Sequence, residues 1–108
     1  MTTEQFDNIV ERAVERSVNV LVHKAKEYAV DGDRMHNFNR GAQISGETRE
    51  KVLKGFMLKH LISVFDIIDD VEKGKLHPRE YLDEKIGDSI NYLLLLEASL
   101  VDRLNNVK

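Results

Sequence analysis

A chain of 108 residues with a formal net charge of −3 has the length of one domain, residues 1–108. With 42% hydrophobic and 32% charged residues it is too apolar and too evenly charged for disorder, and it lacks the basic excess of a dedicated nucleic-acid binder. Cysteine is absent, which excludes disulfides and thiolate zinc sites.

The opening residues, Met1 to Phe6, carry neither the basic nor the apolar region of a signal peptide. The longest apolar run, Leu93 to Leu96, is far short of the ~20 residues of a membrane span. A soluble, cytoplasmic protein is expected.

The first element is a long helix. Phe6, Val10, Ala13, Val14, Val18, Leu21, Ala25 and Tyr28 recur at gaps of three and four, which marks one face of a helix from near Thr3 to near Val30. Thr3 is the expected N-cap. Asp31, Gly32, Asp33 and Arg34 break it, with Gly32 suited to the left-handed conformation just past a helix end. Met35 to Ala42 then reads as a short irregular helix, followed by a loop at Ser45, Gly46 and Glu47.

The second long helix carries an apolar stripe of Leu53, Met57, Leu61, Val64, Ile68 and Val71, and closes at Gly74. The third runs from about Pro78 to Leu104, with proline tolerated in its first turn. Leu82, Ile86, Ile90, Leu93, Glu97, Leu100 and Leu104 line one stripe of it. Strand signals are missing. The expected fold class is all-α: a bundle of three long helices plus a short irregular one, completed by oligomerisation. Residues 92–96 are apolar right around the third helix, which points to a homo-oligomer interface, dimer or tetramer. The alternative is a broad stripe lying under the Met35 to Ala42 segment.

Three groups of residues could carry chemistry. Glu84, Asp88 and Asn91 are spaced four and three apart on the third helix and share a face. Two carboxylates one turn apart suit a hard cation such as Mg²⁺, or a basic partner on another helix. On the second helix His60 falls on the inward stripe beside Lys59. It is either a satisfied core imidazole or a ligand, base or phosphate contact that meets Glu84 and Asp88 across the bundle. Asp66 and Asp70, one turn apart toward the polar edge, read as solvated charge, with metal binding as the alternative. Around the end of the first helix, Lys24, Lys26, Arg34 and Asn37 could grip phosphate, with Tyr28 or Phe38 stacking on a base. The plainer reading is a polar loop anchored by Phe38. No glycine pattern matches a P-loop or dinucleotide fingerprint.

Lys24-x-Lys26-Glu27-Tyr28, the loop with Asp33-Arg34 and Asn37-Phe38, and Asp88-x-x-Asn91-Tyr92 running into four leucines together resemble a known group. It is the phage-type nucleotide-modification-associated helical domain, related to the MazG-like and dimeric dUTPase all-α NTP pyrophosphohydrolases. The resemblance spans about residues 6–101 and implies a dimer or tetramer in the cytoplasm, the host's if phage-encoded. It also implies carboxylates on two adjacent helices holding Mg²⁺, and cleavage between the α- and β-phosphates of a nucleoside triphosphate. Asp88 matches the final aspartate of the second carboxylate motif, but Lys85 stands where its partner is expected and Glu84 is displaced by one position. Lys59, His60 and Ser63 replace the acidic pair of the other helix, unless Asp66 and Asp69 take that role. Three functions follow: an Mg²⁺-dependent pyrophosphohydrolase with His60, Glu84 and Asp88 catalytic; a non-catalytic nucleotide-binding or sequestering protein; or a structural oligomer that binds a protein partner. Nucleotide contacts would come from Lys24, Lys26, Tyr28, Arg34, Asn37, Lys59 and Asn91.

Overall fold

The computed structural model describes residues 1–24, 30 and 32–107. Within them the chain is all-helical: α1 (Thr3–Val18) continues into a π-helical turn (Asn19–His23), and α2 (His36–Ser45), α3 (Arg49–Glu72) and α4 (Arg79–Asn105) follow. The only extended pairing among the described residues is a single antiparallel bridge between Val30 and Asp33.

Local chemistry sets the boundaries. Thr2, one residue before the expected cap, accepts from the Gln5 N–H while the Gln5 side chain reaches back to the Thr2 N–H. Thr48 caps α3 by accepting from Lys51 N–H. Pro78 stands at the N-cap of α4, just outside the helix. Gly32 has φ of 76°, the left-handed backbone its place predicted. The first helix does not run unbroken to Val30. It leaves α geometry after Val18, where Val18, Val20 and Val22 put three stiff β-branched side chains close together. The segment after the break is a regular α-helix that starts one residue later than expected and ends at Ser45, three residues beyond Ala42.

Helices α3 and α4 form an antiparallel hairpin joined by polar rungs. Near the turn, His77 Nε2 lies 2.8 Å from Asp70 Oδ2 and its ring stacks on Tyr81 at 4.5 Å. Midway, His60 Nδ1 is 3.5 Å from Asp88 Oδ2. At the open end, buried Arg49 donates to the Ser99 hydroxyl at 2.6 Å, the Ser99 carbonyl at 2.9 Å and Asp102 at 3.1 Å. Glu50 also accepts from Ser99 and, at 2.7 Å, from Arg103. Burial raises the Glu50 carboxyl, but these donors outweigh it and hold the group below its usual range. Helix α2 lies against α3, and α1 against α4.

The apolar stripes are real but do not all face inward. Leu53 and Ile67 are the only buried hydrophobic side chains among the described residues. On α3 the stripe turns onto Ile67, leaving Ile68 and Val71 exposed. On α4 the buried positions are the small or polar Gly87, Ser89, Asn91 and Ser99, which admit close approach of neighbouring helices. Ile86, Leu93, Leu100 and Leu104 therefore stand exposed on the other side. In residues 92–96, Leu93 and Leu94 are exposed and the rest half-buried, so that segment is not enclosed within one chain.

Charge holds α1 in place. Asp83 on α4 accepts from Arg12 and, at 2.9 Å, from Arg16 of α1, and at 3.0 Å from Arg79. Arg16 lies over Gly87, where an added Cβ would come within 2.6 Å of its Nε. Burial raises the Asp83 carboxyl, yet Arg79 and Arg12 outweigh it and hold the group below the ordinary aspartate value. A carboxyl that titrates lower folded than unfolded stabilises fully above the unfolded pKa of about 3.9, and that contribution is lost as pH falls through the lowered value. Asp83→Asn is therefore expected to lower the thermal midpoint at pH 7 and to flatten its fall below about pH 4. Melting curves from pH 2 to 7 check this; an unchanged acid limb would remove Asp83 from the attachment of α1.

Candidate functional site

The hairpin brings together two one-turn pairs: Phe56 and His60 on α3, Asp88 and Tyr92 on α4. His60 stacks on Tyr92 with ring centroids 4.9 Å apart and 22° between planes. Phe56 lies nearly parallel to Tyr92 at 6.3 Å and meets Phe38 of α2 edge to face at 6.2 Å. The result is a continuous aromatic run, Phe38–Phe56–Tyr92–His60, ending on the Asp88 carboxylate. Phe56 is 48% exposed, so part of this run faces outward. Burial, and secondly the Asp88 charge, raises the Tyr92 phenol above its ordinary value.

The loop before α2 joins the same region. Asp33 accepts from Met35 N–H at 2.9 Å and from the Asn39 amide at 3.2 Å. Arg49 in turn donates to Asn39 at 3.3 Å, which ties the loop to the start of α3. Arg34, half-buried, sits in this loop. Asn37, exposed in the first turn of α2, precedes Phe38 directly.

The predicted residues separate accordingly. His60 and Asp88 meet. Glu84 does not join them: its side chain is 62% exposed and its nearest charged partner is Lys85, at 3.6 Å. Lys59 is exposed beside His60. Asn91 is buried at 7% exposure, and its Oδ1 finds no partner among the described residues, so it stands behind the surface it was expected to line. Lys24 is exposed in the turn that ends the π segment. Lys26 and Tyr28 lie outside the described residues.

Mg²⁺ was expected on Glu84 and Asp88. Among the described residues no three His, Asp or Glu side chains are grouped as metal ligands. With Asp88 turned to His60 and Glu84 to Lys85, the set offers one carboxylate and one imidazole. Mg²⁺ takes a near-octahedral shell of oxygens, and this donor set does not fit it. The sequence reading missed Phe56 and Tyr92 as site residues, although their one-turn spacing from His60 and Asp88 carried the signal.

Asp88→Asn is expected to lower the Tyr92 phenol pKa while leaving it above the ordinary tyrosine value, since burial is the larger cause. Titration of the Tyr92 ring resonances by NMR checks this, and an unmoved phenol would show that the carboxylate does not face the ring.

No family model, curated protein or solved structure matches the chain, so the reading of this site rests on its own residues.

Proposed function

We propose that this chain is a nucleotide-binding helical protein, related to the MazG-like group its motifs resemble, that holds its ligand without hydrolysing it. The observation that carries the reading is the aromatic run from Phe38 to His60, which connects the Arg34–Asn37 loop to the Asp88 helix. A nucleobase can stack on the exposed part of Phe56, an interaction that tolerates any base. Lys59, Arg34 and Asn37 supply the donors that charge-assisted hydrogen bonds to phosphate need. His60 stands opposite Asp88 where an enzyme of that group would bring further carboxylates, so that Asp88 faces an imidazole in place of the second acidic helix a metal would need. Binding should therefore not need Mg²⁺. The reading carries with it a cytoplasmic location, where nucleotide pools are.

The test is a panel of nucleoside mono-, di- and triphosphates, with Mg²⁺ or with chelator, read by thermal midpoint and by pyrophosphate release. At least one nucleotide should raise the midpoint by roughly 10 °C at a hundredfold excess over Kd with chelator present. No pyrophosphate should appear. Phe56→Ala should weaken binding about five- to hundredfold, the loss of one stacked base. Mg²⁺-dependent pyrophosphate release that Asp88→Asn abolishes would replace this reading with the hydrolase. Failure of every nucleotide to bind would leave an oligomeric scaffold for a protein partner.

A further inference from the structure

The apolar stripe of α1 has almost nothing to pack on. Ser17 is its one buried residue, while Phe6, Ile9, Val10, Val14 and Val18 are all exposed. Its attachment to α4 is largely the polar clamp on Asp83 along one edge. Beside that clamp an open groove of about 570 Å³ runs between α1 and α4, walled by Val10, Val14, Val18, Leu21, Ile90 and Leu94. The same surface continues along α4 through Leu93, Leu100 and Leu104. An isolated helix of this length is marginal in water, so α1 needs a cover on that face.

We propose that the cover is a second copy of this chain, docked groove to groove through α1 and α4. The surface area selects this occupant. The chain exposes 8082 Å², whereas a compact monomer of 12.4 kDa exposes about 6,100 Å². The radius of gyration is 16.4 Å against about 13 Å for a compact domain of this length. The excess of roughly 2,000 Å² is more than twice the ~800 Å² each partner gives to a standard interface. A small apolar ligand would cover only the groove and leave the strip along α4 wet, whereas a helix pair from a second chain covers both. Contacts of this kind repeat symmetrically and close at two chains. Phe56, His60 and Asp88 do not wall the groove, so this proposal and the nucleotide reading stand or fall separately.

Light scattering of the whole chain at tens of micromolar should give twice the 12.4 kDa chain mass. Val14→Glu should return a single-chain mass. Because a charge there could unfold α1, Val14→Ser serves as a milder variant and should weaken self-association at least tenfold by sedimentation equilibrium. Phe56→Ala, on another face, should leave the mass unchanged. A single-chain mass for the unmodified protein would overturn the proposal, as would self-association that Val14→Ser leaves unweakened.

Discussion

Two aliphatic side chains, Leu53 and Ile67, are the only buried hydrophobic ones among the described residues, and the rest of the architecture follows from that shortage. Folding must offset on the order of 1–2 kcal/mol of backbone entropy per residue, and apolar burial is its main source of compensation. Here the larger apolar stripes of α1 and α4 point away from the α3–α4 seam and toward each other's open edge. A chain built this way leaves its best hydrophobic surface uncovered, and that surface is what the proposed second copy would bury.

What the seam between α3 and α4 does contain is polar and specific. Asp70–His77, His60–Asp88 and Arg49–Ser99 pair residues whose numbers add to nearly the same total, so the three rungs hold one antiparallel register. Such pairs contribute modest net stability, but a slipped hairpin would leave the donors of buried Arg49 unsatisfied. The middle rung is also the one that opens on an aromatic surface. Register and candidate binding site thus share residues: the pairing that aligns the helices also sets His60, Tyr92 and Asp88 together.

Much of this was legible in the sequence, and what was not has a physical reason. Gaps of three and four residues betray a helix whatever it packs on, and Gly46 and Gly74 mark ends through backbone chemistry that is local. Periodicity cannot say which neighbour a stripe meets. Ile86, Leu93 and Leu100 form as good a stripe as any, yet α4 meets α3 through Asp88, Tyr92 and Ser99, and Gly87 receives Arg16 of α1. The meeting of His60 with Asp88 could be anticipated, since both lie near the middle of successive helices. Glu84 shares a face with Asp88 by spacing, but its longer side chain reaches Lys85 instead. Arg49 had no signal, because a first-turn arginine reads as solvated until α4 closes over it.

The central claim is that α1 and the outer face of α4 are interior surfaces of an assembly. Hydrogen exchange at amide resolution, followed while the protein is diluted from hundreds of micromolar to well below micromolar, addresses it directly. If a second chain covers the groove, the α1 amides should be protected at high concentration and lose that protection on dilution, while the α3–α4 seam keeps more of its own. Slow exchange in α1 that is independent of concentration would show that one chain suffices to hold this helix, and would contradict the account.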